Sequence, residues 1–286
     1  MRLSLHYSPC PNDTFIFHAL SAGLVQVPGV QFDITLADVE RLNQAAAAHI
    51  PDLCKVSVAA AAGVLDEYRI LRAGGALGRG VGPVLVCGGG LGLEDLEDLD
   101  GKPVAIPGKR TTAALIFGLL CRERGIAPIA TEMAYDEVMP AVESGRCAAG
   151  VVIHEGRFTY AERGLALLAD LGAWWEEERG LPIPLGCIVM RRSLGLALAR
   201  EANQGIRDSL LYARRNPEAS SQYTRSHAQE LDEGVIARHI ATFVTEASLD
   251  LGPEGEAASL ALLAEARRIA RAGALPAEVF LLPAPV

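Results

Sequence analysis

Apolar and polar residues alternate over residues 3–7 and again over 30–36, the period-two pattern of half-buried strands. Residues 13–22 predict a helix that Asn12 or Asp13 could cap, and 38–49 a second helix stopped by Pro51. Residues 52–57 read as a strand running into an alanine-rich helix that lasts to Leu65, followed by a strand over 68–72. After the glycine-rich GGALGRGVGP and the apolar run VLVCGGG the pattern restarts. Strands are expected over 104–106, 132–135 and 150–154, with helices over 111–124 and 136–144 between them. From Leu194 onward only helices are read, including 202–215 and 254–271. Alternating β and α elements predict an α/β protein with helices on both faces of a mostly parallel sheet.

Two apolar strands, VGPVLVCGG and PLGCIVMRR, bracket a middle segment of domain-like length. A chain that leaves one lobe and returns to it would cross there, near residues 84–88 and 184–190. The division expected is a discontinuous larger lobe of residues 1–90 and 186–286, and a smaller lobe of 91–185. Such an arrangement resembles the two-lobed type II periplasmic-binding-protein fold, whose ligand lies in an interlobe cleft. The pattern alone equally permits one doubly wound domain with a helical tail.

Half of the 286 residues are hydrophobic and 21% are charged, which predicts a globular chain with a sizeable core. A formal charge of -9 without any lysine- or arginine-rich run argues against a nucleic-acid partner. No stretch approaches the ~18 consecutive apolar residues of a membrane span. The start, MRLSLHYSPCPND, lacks the apolar stretch and small-residue cleavage site of a signal peptide, so a cytoplasmic location is expected. The six cysteines form no CxxC pair and several lie in apolar runs, so they read as buried and reduced.

Several familiar patterns fail on inspection. Gly74 to Gly82 lack the helix that a dinucleotide fingerprint requires. Around Gly108-Lys109-Arg110-Thr111, Pro103 stands where a phosphate loop has its first glycine, and Arg110 replaces the hydroxyl residue after the lysine. His154-Glu155 has Phe158 where a zinc-protease helix has its second histidine, and no GxSxG elbow exists. No metal or other cofactor is expected.

Four segments carry candidate chemistry. In SPCPNDTFIFHAL two prolines follow a strand, and Asn12-Asp13-Thr14 open a helix that can offer polar groups and N–H donors to a ligand. In PGKRTTAALIF, Thr111 and Thr112 fall near a helix start suited to a carboxylate or a developing oxyanion. LCKVSVAA ends a strand with Lys55, Val56 and Ser57. In VVIHEGRFTY, His154 ends an apolar strand where ligands of open α/β sheets gather, and an imidazole there can act as general base. Each also has a plain reading: capped helix starts, a solvated lysine and a structural histidine.

Together SPCPNDTFIFHAL, DVERLN, KVSVAA, RAGGALGRGVGP, VAIPGKRTTA, IHEGRFTY, LGAWWEE and LPIPLG resemble the 1,4-dihydroxy-6-naphthoate synthase family of the futalosine route to menaquinone. Weaker similarity continues to HAQEL near His227. The sequence departs from the family pattern at Lys109-Arg110 and at Gly156, where the family often has serine. The resemblance implies a lyase that converts cyclic dehypoxanthinyl futalosine, a small-molecule carboxylate, to 1,4-dihydroxy-6-naphthoate and dihydroxyacetone. It further implies that His154 is the catalytic base and that Lys55, Val56, Ser57, Thr111 and Thr112 line the substrate pocket; Asn12 joins them as a candidate contact. Two alternatives stay open: a cytoplasmic solute-binding protein of the same fold, and the sister chorismate dehydratase, against which IHEGRFTY argues.

Overall fold

The computed structural model describes residues 1–88, 95–228 and 232–282. The chain divides into two compact units, Met1–Leu77 with Pro184–Val286, and Gly78–Ile183.

The first unit opens with β1 (Arg2–Tyr7), α1 (Pro11–Ser21), β2 (Gln31–Leu36), α2 (Val39–Ala47), β3 (Leu53–Ser57), α3 (Val58–Ala61) and β4 (Tyr68–Ile70). The short β5 (Ala76–Gly78) leads out of it. The second unit holds β6 (Val84–Gly88), β7 (Pro103–Ile106), α4 (Thr112–Arg124), β8 (Ile129–Glu132), α5 (Tyr135–Glu143), β9 (Ala149–Val152), α6 (Gly156–Thr159), β10 (Leu165–Asp170) and α7 (Leu171–Arg179). The chain returns through β11 (Ile183–Arg191) and ends in helices α8 (Leu196–Arg215), α9 (Pro217–His227), α10 (Glu233–Phe243), α11 (Glu246–Leu249) and α12 (Gly252–Ile269).

Both sheets are mixed, which corrects the expectation of a mostly parallel one. In the first, ordered β2-β1-β3-β11-β4, the first three strands are parallel. Strand β11 enters antiparallel to both β3 and β4 because it comes back from the second unit. In the second sheet, ordered β10-β6-β9-β7-β8, β7 is parallel to β8 and β9, while β6 is antiparallel to β9 and β10. Those two ladders hold residues 84–88 inside the second unit. The first crossing therefore falls at Leu77–Gly78, earlier than the apolar run had implied. The Gly89-Gly90 end of that run, the expected boundary at 90 and the Gln229–Leu231 end of HAQEL lie outside the described residues.

Three local readings also shift. Cys10, not Asn12 or Asp13, stands at the N-cap of α1; Pro11 fills the first helical position, where its missing N–H costs nothing. The strand expected over 132–135 is β8 instead, and Tyr135 already begins α5. The alanine-rich helix after Ser57 stops at Ala61.

In the first unit Leu5, Tyr7, Leu53, Ile188 and Met190 of the sheet pack with Ile16, Phe17, Ile206 and Leu210 of the flanking helices. A smaller core in the second unit joins Val84, Val86 and Val152 to Val138 and Val142 of α5. Burying each large side chain contributes roughly 1.5–3 kcal/mol. All six cysteines are reduced and buried; burial raises the thiol of Cys121 to about 12. No helix among the described residues is long and apolar enough to cross a membrane.

Candidate functional site

Parallel strands β1 and β3 end side by side in the first unit, and the segments leaving them form one polar cluster. Asn12 and Asp13 lie in the first turn of α1, both buried. Lys55 Nζ reaches 2.7 Å to Asp13 Oδ1 and donates at 2.7 Å to the carbonyl of Gly74. Asp13 also accepts Asn12 Nδ2 (2.9 Å) at Oδ1, and Ser8 Oγ (2.8 Å) and Ser8 N (3.3 Å) at Oδ2. Four donors saturate this carboxylate, so it balances the lysine charge and has no lone pair left to take a substrate proton.

Beside it, the Ser57 amide donates to Asn43 Oδ1 (2.9 Å) and Asn43 Nδ2 donates to Ser57 Oγ (3.2 Å). That accounts for DVERLN: Asp38 caps α2 through the Glu40 amide, and Asn43, one turn on, braces the strand end. The Ser57 hydroxyl keeps its own proton to donate. Val56 is buried in the core and points away from Lys55 and Ser57, as strand alternation requires, so only its backbone can serve a ligand. Backbone closeness protects the lysine. A Cβ on Gly186 would stand 2.9 Å from Lys55 Cε, and one on Gly74, at φ +82°, 2.7 Å from Ile188 Cγ1.

In the second unit, parallel β7 and β9 end on the same edge of their sheet. Thr111 caps α4: its hydroxyl accepts from the Ala114 amide (3.1 Å) and donates to the Gly108 carbonyl (2.8 Å). Thr112 is the first residue of α4 and buried, and the N–H groups of the opening turn are the donors that a helix start offers to a ligand. Lys109 is turned away: its amide and Nζ both engage Glu132 at the end of β8, and the side chain is 69% exposed.

His154 follows β9 with φ 56°, one of three non-glycine residues in the left-handed region among the described residues. Such backbone costs about 1–2 kcal/mol and clusters at functional positions. The imidazole stands edge-on to Tyr135, ring centroids 4.9 Å apart. Arg157, three residues on, donates to the Gly82 carbonyl (2.6 Å) and pairs with Asp170 (2.7 Å), the residue that caps α7. The IHEGRFTY segment is thus anchored behind its histidine. Gly156 has no room for the family's serine without a shift: a Cβ would meet Val152 Cγ1 at 2.6 Å.

The structure therefore gathers Asn12, Lys55 and Ser57 in one unit and Thr111, Thr112 and His154 at one sheet edge of the other. Four cluster members went unread in the sequence as site residues: Asp13, Asn43, Gly74 and His239, whose Nε2 lies 3.1 Å from Asn12 Oδ1. Asp13 and Asn43 lie within matched motifs; His239 carries no sequence signal. Other matched strings are architectural. Buried Trp175 of LGAWWEE donates to the Pro182 carbonyl at 3.2 Å, and Gly82 of RAGGALGRGVGP packs against Gly172 too closely for any Cβ.

The fold is that of the periplasmic-binding-protein class. The ligand-binding component of an ABC-type import system from Staphylococcus aureus, solved with zinc bound, has a TM-score of 0.72 at 16% identity, over 99% of this chain and 97% of that one. The alkanesulfonate-binding protein from Xanthomonas axonopodis pv. citri, bound to MOPS, has a TM-score of 0.69 at 16% identity, over 98% and 96%. Those identities speak to the fold alone. The sequence profile of the family described as menaquinone biosynthesis matches residues 3–268, and the chain belongs to that family. It is 47% identical over 279 residues to a 1,4-dihydroxy-6-naphthoate synthase of Thermus thermophilus, covering 98% of this chain and 99% of that one. A synthase of the same name from Streptomyces coelicolor is 45% identical over 279 residues, covering 96% and 95%. These relatives make the protein an enzyme of menaquinone biosynthesis.

Proposed function

We propose that the protein is the carbon–carbon lyase that converts cyclic dehypoxanthinyl futalosine to 1,4-dihydroxy-6-naphthoate and dihydroxyacetone. The observation that carries this reading is His154, held in left-handed backbone at the end of β9 with Arg157 anchoring the turn behind it. A general base must be held where it can reach one substrate proton, and a turn fixed from both sides supplies that.

In this reading His154 removes a proton, C–C cleavage follows, and aromatisation of the product ring makes the sequence downhill. No cofactor is needed to hold electrons. The opening turn of α4, with Thr112, stabilises negative charge on the substrate through N–H groups and the helix dipole. Lys55 and Ser57 donate to substrate oxygens, and the Val56 backbone lines the same contact. The substrate is assigned to the class of small carboxylates.

The test is turnover of the purified protein on the cyclic futalosine, followed by the absorbance of the naphthoate and by chromatography of both products. Product formation by wild-type protein, with none from chorismate, supports the assignment. Turnover of chorismate would assign the sister dehydratase, and tight binding without turnover a solute-binding role.

A further inference from the structure

His239 sits on α10, remote in sequence from α1, yet it is 1% exposed and touches Asn12. The contacts order the protons along this row. Asp13, as the partner of the Lys55 ammonium, only accepts, so Asn12 must turn its Nδ2 toward Asp13 Oδ1. Its Oδ1 then faces His239 Nε2 at 3.1 Å, and that nitrogen must carry a proton and donate it. The row ends on Lys55, which spends one N–H on Asp13 and one on the Gly74 carbonyl and keeps a third.

We propose that His239 is a positioning residue for Lys55. By locking the Asn12 amide it holds Asp13, and through Asp13 it sets the direction in which the third ammonium N–H points. The inference rests on the reading of Lys55 as a substrate contact. Without a donor at 239 the Asn12 oxygen is left buried without its partner, the amide shifts to find another, and its hold on Asp13 loosens. A donor at the reach of Nε2 is what the site needs, and a glutamine amide supplies one.

The experiment has a kinetic arm and a spectroscopic arm. In His239→Ala the KM for the cyclic futalosine should rise about tenfold, the loss of one hydrogen bond at Lys55, with little change in kcat. His239→Gln should restore it, and in a Lys55→Met background His239→Ala should change nothing further. The second arm reads the ammonium itself in substrate-free protein. The chain has three lysines, and Lys102 and Lys109 are exposed, so a slowly exchanging ammonium in a ¹H–¹⁵N spectrum belongs to Lys55. That signal should shift or vanish in His239→Ala and return in His239→Gln. Should His239→Ala fail to fold, His239→Met, which fills the space without a donor, takes its place. A folded donor-free variant with unchanged KM and unchanged ammonium signal overturns the proposal. If the wild type turns over nothing, the functional reading falls, and the positioning role stands or falls on the ammonium signal.

Discussion

Lys55 and Asp13 form an ion pair of 2.7 Å with side chains only 7% and 3% exposed, where the sequence alone reads a solvated lysine at a strand end. A buried pair of this kind is strongly destabilised when one partner is removed, because the other charge stays behind without compensation. Asp13→Ala should therefore cost about 3–5 kcal/mol in urea unfolding. Replacing both partners by apolar residues of similar volume, Asp13→Leu with Lys55→Met, should recover most of that loss. A single variant as stable as wild type would show that the pair is not closed off from water.

His154 couples backbone strain to its proposed role. His154→Asn, which tolerates the left-handed region, should keep the melting temperature while lowering kcat about 10²–10⁴-fold. His154→Gly should remain within about 1 kcal/mol of wild-type stability, since relief of the backbone offsets the lost ring contact with Tyr135. Single-turnover kinetics at saturating substrate decide it: near-normal turnover by folded His154→Asn removes the residue from the mechanism.

The adjacent threonines should separate cleanly. Thr111→Val removes the cap of α4 and is expected to cost about 1 kcal/mol in stability, with a small effect on KM. Thr112→Val should weaken substrate binding roughly ten- to a hundredfold, the loss of a hydrogen bond to a charged group. Reversal of that pattern would move the ligand contact to Thr111.

Stability should fall on mild acidification. Burial lowers the pKa of His18, which hydrogen-bonds Ser220 (2.9 Å) and packs on Tyr223. The unfolded chain binds a proton near pH 6.5 that the folded chain resists, so this contribution is complete above about 6.5 and is lost as pH drops below it. His6, lowered chiefly by burial against an opposing pull from Asp52, acts with the same sign. Melting temperatures between pH 7.5 and 5.5 should decline, and less steeply in His18→Phe; equal slopes would exclude His18 as a source.

Much of the fold lies open in the primary structure because it is written locally. The alternation in β1 and β2, the Asp38 cap of α2 and the threonine cap and glycine stop of α4 each involve residues a few positions apart. Strand β10 was missed, with exposed residues breaking its pattern and a register shift in its pairing with β6. The positions of Lys55 and Ser57 in β3, of Thr111 and Thr112 at the start of α4 and of His154 just after β9 were equally legible, since each follows a recognisable run.

By itself the sequence determined the αβ alternation, the absence of a cysteine framework and the motif strings that mark the family. Tertiary structure decided the rest. It inserted β11 antiparallel between β3 and β4, kept β6 in the second unit, buried Lys55 against Asp13 and brought His239 onto Asn12. Each of these joins residues far apart in the chain, and the free energy that selects them comes from ladder hydrogen bonds, shared apolar burial and charge neutralisation among distant partners. No local period or propensity records which distant partner a residue will meet.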